Sequence, residues 1–316
     1  MAAITGGVWP AVCSALDENG EPNLEAMDQL VELFNEQQLD GLYMLGSTGQ
    51  GPALSVATRK KIAERVIKTN AGRLPVIVHV GAVSTDDAIV LARHAADCGA
   101  DAISSVPPIY FPADVELTFE HYRRIASATD RPFFPYHAAF AGMSVPPPDE
   151  YARRVQDLPN ISGMKITDPN AHTFTLLRKH LGDDLVLFSG FDELMCHTII
   201  SGSNGAIGTW MNLFGPALKK VYHEFLGGNI ELAKRFAADF GDMTEWTILK
   251  RRARCNPFLR RAMQIKYNID IGKGRTAFES DLVTIDDADV HRYIELVDGS
   301  AGVLEASARA ATESRR

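Results

Sequence analysis

The chain has 316 residues, of which 46% are hydrophobic and 23% are charged. These values are typical of a globular protein with one large domain or two ordinary ones, long enough to bury a large core. The 32 basic and 40 acidic residues give a formal net charge of −8, which argues against nucleic acid or an anionic membrane as a general partner. The sequence shows neither a run of about eighteen apolar residues nor a basic segment ahead of an apolar one, so we expect a cytoplasmic protein without membrane span or signal peptide.

The four cysteines, Cys13, Cys98, Cys196 and Cys255, are far apart and form no C-x-x-C pair. Their spacing therefore predicts neither a zinc site nor a redox motif. We interpret them as small buried hydrophobic residues.

Short apolar runs alternate with helical patterns along the first 228 residues. The first run, Gly7 to Val12, ends at a turn, and Met27, Leu30, Val31 and Phe34 then follow at helical spacing. Seven further apolar runs lie at residues 41–45, 76–80, 102–106, 133–136, 161–168, 185–188 and 205–208. Helical patterns separate these runs, and an eighth helix is predicted over about 216–225.

This alternation predicts an α/β fold, a closed parallel (β/α)8 or TIM barrel over residues 1–228. A doubly wound open sheet is the alternative, but it usually has fewer strands, and no G-x-G-x-x-G follows the first strand. Residues 229–298 are helical in composition and predict a small C-terminal helical extension. Residues 299–316 have no clear apolar face, and we expect a disordered tail.

The sixth run, Ile161 to Asp168, places Lys165 near the end of a predicted buried strand. A buried cation is costly unless it is paired or neutral. Desolvation lowers the pKa of a lysine, and a neutral amine can attack a ketone to form a Schiff base. The alternative is a lysine that extends its ammonium group from the strand end into solvent.

In a closed parallel barrel the active site lies at the carboxyl ends of the strands, so the residues there are the functional candidates. These are Ser47, Thr48, Tyr110, Tyr136, Lys165, Thr167, Gly190, Phe191, Asp192, Glu193, Gly208 and Thr209. One amine with phenols, hydroxyls and carboxylates suits carbonyl chemistry through an imine, and the set contains no His–Cys pair and no metal-ligand cluster. The glycine-flanked turn at Ser47 and Thr48 suits an anion; a carboxylate is favoured over phosphate because the turn lacks the lysine and spacing of a phosphate-binding loop.

Six motifs occur in chain order at these strand ends. They are Gly46-Ser47-Thr48-Gly49, His79-Val80-Gly81 with Val83-Ser84-Thr85, Pro108-Ile109-Tyr110-Phe111-Pro112, Tyr136-His137, Gly163-Met164-Lys165 and Gly190-Phe191-Asp192-Glu193. Together they resemble the N-acetylneuraminate lyase and dihydrodipicolinate synthase family of class I pyruvate aldolases, and most of all its N-acetylneuraminate lyase branch.

The resemblance implies that Lys165 forms an imine with a 2-oxo acid, without any cofactor. It implies that Tyr136 transfers the proton between the substrate hydroxyl and the nascent aldehyde, aided by a hydroxyl relay of Ser47 and a Tyr110 from a neighbouring subunit. Ser47 and Thr48 would also hold the substrate carboxylate. Two structural alternatives stay open: Tyr110 could pack between prolines, and Thr48 could cap the following helix.

The resemblance also implies a set of residues that bind the hydroxylated tail of a sugar acid. These are Thr167, Asp192, Glu193 and Thr209, with the backbone at Gly190 and Gly208. Carboxylates suit a polyol because each can accept several hydrogen bonds. Alternatively, Asp192 and Glu193 could serve only to begin the next helix.

Two departures from the family pattern concern the substrate. Gln50 stands where the family commonly has glutamate, which removes a charge near the carboxylate site. The loop from His137 to Gly142 is one residue shorter than usual and contains no arginine, whereas the synthase branch places one there to bind a second carboxylate. The absence disfavours a dihydrodipicolinate synthase, and the altered loop weakens an assignment to sialic acid.

The leading hypothesis is a lyase that cleaves N-acetylneuraminate to N-acetylmannosamine and pyruvate. The alternatives are an aldolase or dehydratase for another 2-oxo-3-deoxy sugar acid, then a dihydrodipicolinate synthase-like condensation, and a barrel that binds a sugar acid without converting it. The resemblance implies a homotetramer, a dimer of dimers. Lys250-Arg251-Arg252, Arg254 and Arg260-Arg261 could suggest nucleic-acid binding, but basic residues spaced along a helix usually form a solvated face.

Overall fold

The computed structural model describes residues 3–111, 114–139, 145–249, 255–275 and 284–303. Eight parallel strands form a closed barrel in chain order, with the first strand paired to the eighth. The strands are β1 (Gly7–Val12), β2 (Leu42–Met44), β3 (Val76–His79), β4 (Ala102–Ser105), β5 (Phe133–Ala138), β6 (Gly163–Thr167), β7 (Val186–Ser189) and β8 (Gly205–Gly208). The predicted TIM barrel is confirmed.

A helix follows each strand. These helices are α1 (Leu24–Glu36), α2 (Val56–Asn70), α3 (Thr85–Cys98), α4 (Val115–Ala126), α5 (Pro148–Gln156), α6 (Ala171–Leu181), α7 (Met195–Ile200) and α8 (Met211–Leu226). Three more complete the described chain: α9 (Ile230–Thr244), which continues into a π-helical turn at Glu245–Leu249, α10 (Cys255–Tyr267) and α11 (Asp287–Ser300). None of the helices in these ranges is long and apolar enough to cross a membrane.

The strands separate two apolar cores because each is buried on both faces. Inside the barrel, a small cluster of large side chains fills the interior and includes Trp9, Tyr43, Phe134, Phe188 and Ile207. The larger cluster lies between the strands and the surrounding helices. The barrel interior below the strand ends is therefore filled by side chains.

Three helices depart from their predicted starts, and the first of them, α6, begins at Ala171 instead of about Thr173. Helix α7 begins at Met195, two residues later than Glu193. Helix α8 spans Met211–Leu226, but its backbone leaves helical geometry at Phe214 (φ −115°, ψ 24°). This kink separates a short first segment, which was not predicted, from the part near Pro216 where the helix was predicted to begin.

The helices after α8 correspond to the predicted extension, and α9 and α10 pack on the larger core through Phe236 and Phe258. The division into a barrel over 1–228 and an extension over 229–298 stays a proposal. Helix α11 reaches Ser300, so two residues of the predicted tail are helical. Residues 304–316 of that tail lie outside the described residues.

Candidate active site

The register of the barrel brings the predicted lysine and tyrosine together. Tyr136 on β5 is the direct partner of Lys165 on β6, and Ala138 is the partner of Thr167. Paired residues of neighbouring parallel strands point to the same face of a sheet, so Tyr136 and Lys165 both project into the barrel. Their strands end there, at the carboxyl end where barrel enzymes place their chemistry.

Lys165 is buried among aromatic rings. Its side chain is 5% exposed, and Nζ lies 4.4 Å from the ring centre of Tyr43 and 4.6 Å from that of Tyr136. Burial lowers the pKa of Lys165 to about 7, although the negative charge of Asp192 opposes the shift. A large fraction of this amine is therefore neutral near neutral pH, as an amine nucleophile requires.

Tyr136 is hydrogen-bonded through its hydroxyl. The hydroxyl oxygens of Tyr136 and Thr167 lie 2.9 Å apart, and Ser47 is a second partner of the phenol. Burial raises the pKa of Tyr136 to about 12, while the bonds to Thr167 and Ser47 act in the opposite direction. Tyr136 is thus a protonated phenol at neutral pH, joined to two hydroxyl groups that can relay a proton.

Two glycines leave room for neighbouring side chains. A Cβ at Gly190 would lie 1.7 Å from Oγ1 of Thr167, and a Cβ at Gly208 would lie 1.9 Å from Oδ1 of Asp192. Any larger residue at these positions would collide with side chains at the pocket wall. Gly190 and Gly208 therefore shape the pocket by having no side chain.

Asp192 and Glu193 both lie in the pocket wall. Burial, together with the charge of Glu193, raises the pKa of Asp192, and burial raises the pKa of Glu193. The backbone N–H of Trp210 donates to Oδ2 of Asp192 at 3.4 Å, and the backbone of Thr209 also interacts favourably with this carboxylate. Helix α7 begins at Met195 without a side-chain cap, so neither carboxylate caps it through a hydrogen bond, although both lie just before its amino end.

The turn after β2 carries Ser47 and Thr48. Oγ1 of Thr48 lies 2.7 Å from Oγ1 of Thr209, which connects this turn to the end of β8. Ser55, not Thr48, caps helix α2 by accepting a bond from the N–H of Thr58. Neither Ser47 nor Thr48 therefore caps α2, and both line the pocket.

The pocket has a volume of about 180 Å³. It is lined by Ala11, Ser47, Thr48, Tyr136, Lys165, Thr167, Gly190, Phe191, Asp192, Glu193, Ile207, Thr209, Trp210, Ile248 and Cys255. The structure therefore brings together all the predicted site residues except Tyr110 and Gly208, and Gly208 abuts Asp192 behind the wall.

Tyr110 lies outside this pocket in the single chain. Its side chain is 86% exposed and packs edge-on against Phe111, with ring centres 5.0 Å apart. Its backbone has φ of 73°, a left-handed conformation that is unusual for a bulky residue. The alternative of a tyrosine packed between prolines does not account for such an exposed ring.

Five residues that line the pocket were not predicted from the sequence, namely Ala11, Ile207, Trp210, Ile248 and Cys255, and neither was Tyr43, which contacts Lys165. Tyr43 faces the amine from the middle of β2, and only the inward direction of its side chain could have identified it. Ile248 and Cys255 come from the helices after the barrel, which therefore reach the pocket. Cys255 is half-buried, as are Cys98 and Cys196, so Cys13 alone of the four cysteines is fully buried.

Several other predictions concern the rim of the site. Gln50 accepts a hydrogen bond at 2.5 Å from the backbone N–H of Arg275 and does not line the pocket. Residues 140–144 of the shortened loop and the basic residues 250–252 and 254 lie outside the described residues.

The fold and the pocket define a TIM-barrel enzyme built around a buried amine. Residues 4–265 match the model of the dihydrodipicolinate synthetase family. The chain is 31% identical over 241 residues to the N-acetylneuraminate lyases of Citrobacter koseri and Salmonella typhimurium, which covers 76% of this chain and 80% of each relative. The chain therefore belongs to the dihydrodipicolinate synthetase family, and it is a pyruvate-dependent lyase of the class I aldolase type.

Solved structures support the fold. The wild-type sialic acid aldolase of Ruminococcus gnavus superposes with a TM-score of 0.86 at 24% identity, covering 94% of this chain and 98% of that one. A dihydrodipicolinate synthase from Aquifex aeolicus gives a TM-score of 0.80 at 23% identity, covering 93% and 97%. Because both branches share the barrel so closely, the overall shape does not choose the substrate.

Proposed function

We propose that this protein is a Schiff-base aldolase that cleaves a 2-oxo-3-deoxy sugar acid to pyruvate and an aldehyde. N-acetylneuraminate, which would yield N-acetylmannosamine and pyruvate, is the first candidate substrate. The observation that carries the proposal is Lys165, a buried amine with a pKa lowered to about 7, in direct register with Tyr136. The identity to N-acetylneuraminate lyases supports the substrate.

The first step is imine formation. The neutral amine of Lys165 attacks the C2 carbonyl of the substrate, and the resulting carbinolamine loses water to give a protonated imine. The faces of Tyr43 and Tyr136 lie against Nζ, and an aromatic face stabilises a cation. The same two rings therefore lie next to the positive charge of the iminium.

The second step breaks the bond between C3 and C4. The electrons of that bond flow into the iminium and leave an enamine, while the C4 hydroxyl loses its proton and becomes the aldehyde. A phenol with a pKa near 12 is a weak acid and does not act alone as a base. Tyr136 accepts the substrate proton while passing its own proton to the hydroxyl network that Thr167 and Ser47 begin.

The last steps release the products. A proton returns to C3 of the enamine, and water hydrolyses the pyruvate imine to regenerate the free amine of Lys165. The water lost in imine formation is recovered here, so the overall reaction is a cleavage without net hydrolysis. No cofactor is needed in this sequence.

The substrate would be held at both ends. We assign its carboxylate to the turn at Ser47 and Thr48, whose hydroxyls and backbone N–H groups suit an anion. We assign its hydroxylated tail to Asp192, Glu193 and the strand ends nearby. The residues assigned to the tail at these strand ends are Thr167, Gly190, Gly208 and Thr209. Asp192 and Glu193 support this assignment because both carboxylates line the pocket, and a carboxylate can accept several hydrogen bonds from hydroxyl groups.

The proposed assembly is a homotetramer built as a dimer of dimers. Exposed Tyr110, held by its left-handed backbone beside Phe111, is available to a second copy and would extend that copy's hydroxyl relay. The predicted partners are a 2-oxo acid and other copies of the chain, in the cytoplasm. Nucleic acid and membrane are not expected as partners.

Borohydride trapping tests the mechanism. Incubation with pyruvate and reduction should add the mass of one reduced pyruvate, located on Lys165 by peptide mass spectrometry. Lys165→Ala should abolish both the adduct and turnover, whereas Lys219→Ala, which alters an ion pair with Asp40 beneath the barrel, should retain both. An unchanged protein mass, or a label on another side chain, would refute the proposal.

A substrate panel tests the specificity. Purified protein is incubated with N-acetylneuraminate and with shorter 2-oxo-3-deoxy sugar acids, and pyruvate release is measured. If pyruvate is released from the shorter acids but not from N-acetylneuraminate, the substrate is one of the alternative sugar acids. Imine trapping without cleavage of any acid would instead support a synthase-like condensation, although the sequence from His137 to Gly142 contains no arginine for a second carboxylate.

A further inference from the structure

The outer surface of the barrel carries three potential metal ligands, none of which lines the pocket. Glu64 lies on α2, and His94 and Cys98 lie on α3. His94 and Cys98 are separated by four residues, so one turn of helix places them on the same face. One ligand atom from each residue lies within 4.8 Å of the other two.

The three ligand atoms lie close together, but the imidazole must turn before they can share one metal ion. Nε2 of His94 lies 3.6 Å from Sγ of Cys98 and 2.8 Å from Oε1 of Glu64, and Nδ1 lies 3.9 Å from the same sulfur, which therefore lies beside the ring. Bonds of about 2.0–2.1 Å to nitrogen and about 2.3 Å to sulfur place these two atoms roughly 3.6 Å apart in a tetrahedron. The carboxylate oxygen must move away from the imidazole by only about half an ångström.

The exposure of two of the side chains leaves room for these adjustments. The side chain of Glu64 is 61% exposed and that of His94 is 16% exposed, so the carboxylate and one edge of the ring face solvent. An ion pair between Glu64 and His94 accounts for their short contact. Cys98 joins this pair because it lies one turn of α3 after His94, which places its sulfur within 4 Å of both ring nitrogens.

Charge also favours a cation at this position. Burial and the charges of Glu64 and Asp97 raise the pKa of the Cys98 thiol, and Lys60 opposes them. A divalent cation would displace the thiol proton of Cys98. Its charge would then be neutralised by one thiolate and one carboxylate. Mixed nitrogen, sulfur and oxygen ligands suit zinc, whereas magnesium and calcium prefer oxygen alone.

We propose that Glu64, His94 and Cys98 form a surface site for a divalent transition metal, with Zn²⁺ as the expected occupant and water as the fourth ligand. The site joins α2 to α3, and a bound ion would add a connection between two helices that otherwise meet through side-chain packing and the contact of Glu64 with His94. It is separate from the aldolase pocket and does not depend on the proposed reaction. Because its ligands come from two different helices, the sequence alone could not show that they form a cluster.

Metal binding to the intact, reduced and chelator-treated protein tests this proposal. Titration calorimetry with Zn²⁺ should show one site per chain with submicromolar affinity. Co²⁺ should give a sulfur-to-cobalt charge-transfer band in the near ultraviolet. Zn²⁺ should also raise Tm, because a ligand that binds only the folded state stabilises it.

Variants separate this site from other thiols. Cys98→Ser and His94→Ala should each weaken Zn²⁺ binding by at least about tenfold, and Cys98→Ser should remove the cobalt band. Cys196→Ser, which removes a half-buried cysteine on α7, is the matched control and should bind as the unaltered protein does. Absent binding, or equal affinity in Cys98→Ser and Cys196→Ser, would overturn the proposal.

Discussion

The hydroxyl oxygens of Tyr136 and Thr167 lie 2.9 Å apart, one strand from each other at the carboxyl end of the barrel. This contact gives a phenol with a pKa near 12 a neighbour that can take up its proton. Gly190 makes it possible, because a Cβ there would lie 1.7 Å from Oγ1 of Thr167. The network that would carry the proton thus depends on a residue without a side chain.

Removal of the Tyr136 hydroxyl should separate the two halves of the proposed reaction. In Tyr136→Phe we expect imine formation with pyruvate to stay near its original level, while cleavage falls by about 10²–10⁴-fold, the range of a lost proton-transfer group. Thr167→Val should reduce cleavage in the same direction, and Thr167→Ser should restore much of it. Trapped adduct and pyruvate release are measured side by side, and equal loss of both in Tyr136→Phe contradicts the assigned role.

The lowered pKa of Lys165 predicts how imine formation depends on pH. Because only the neutral amine attacks, the rate should rise about tenfold per pH unit below 7 and level off above it, where the free amine predominates. Rapid mixing with pyruvate, followed by borohydride quenching at one fixed pH, measures this rate without varying the reduction step. A rate that continues to rise up to pH 10 would show an amine with an ordinary pKa.

Filling the space at Gly190 should damage the site without unfolding the barrel. In Gly190→Ala the new methyl group displaces Thr167 and comes within 3.2 Å of Cε of Lys165. We expect both cleavage and imine trapping to fall, while Tm changes by only a few degrees. Gly241→Ala is the control, since no atom lies within 4 Å of its added Cβ, and it should retain full activity.

The sequence allowed the barrel and most of the pocket to be predicted because both are encoded locally. Apolar runs mark the strands, and the residues where each run stops lie at one end of a closed parallel barrel, which is how Lys165 and Tyr136 were identified. Tyr43 was missed because it lies within its apolar run, where an aromatic residue suggests only core. Its place against the amine follows from the barrel geometry.

The contribution of the C-terminal helices could not be predicted for a different reason. Their sequence shows helical periodicity but no information on where the helices pack, and Ile248 and Cys255 reach the pocket only through that packing. The left-handed backbone at Leu45 (φ 61°) could not be predicted either, because such a conformation is usually marked by a glycine and none stands there. Its conformation is maintained by contacts from distant parts of the chain.

His79 is the residue that makes one of those contacts, and it predicts a positioning effect. Its Nδ1 lies 3.1 Å from the carbonyl oxygen of Leu45, and its Nε2 accepts the N–H of Val106 at 3.1 Å. Burial lowers the pKa of His79, so the ring is neutral, with Nδ1–H donating to Leu45. The imidazole therefore connects the backbone just before Ser47 to the end of β4.

Loss of this connection should affect substrate binding more than chemistry. In His79→Phe we expect KM for the cleaved sugar acid to rise on the order of tenfold, because both buried hydrogen bonds of the imidazole are lost, with a smaller fall in kcat. His79→Gln keeps a donor and an acceptor and should recover part of the loss. A fall in kcat with unchanged KM would show that the turn at Ser47 does not depend on His79.

A buried ion pair fixes the C-terminal helices to the barrel. Nζ of Lys266 on α10 lies 2.6 Å from Oδ2 of Asp298 on α11, and it also donates to the carbonyl oxygen of Leu213 at 3.0 Å. Burial lowers the pKa of Lys266 and raises that of Asp298, so each charge is tolerated only because the other is present.

Lys266→Met should therefore destabilise the protein by about 3–5 kcal/mol, because it leaves the charge of Asp298 buried and unpaired. Asp298→Leu should destabilise the protein by a comparable amount, because it leaves the charge of Lys266 buried and unpaired. The double variant should recover most of the stability, since neither charge is then desolvated, and the hydroxyl of Tyr267 still donates to Leu213 at 2.7 Å. Urea unfolding of the three variants measures this coupling. Additive losses in the double variant would mean that the two side chains stabilise the helices independently, through packing, rather than as a pair of charges.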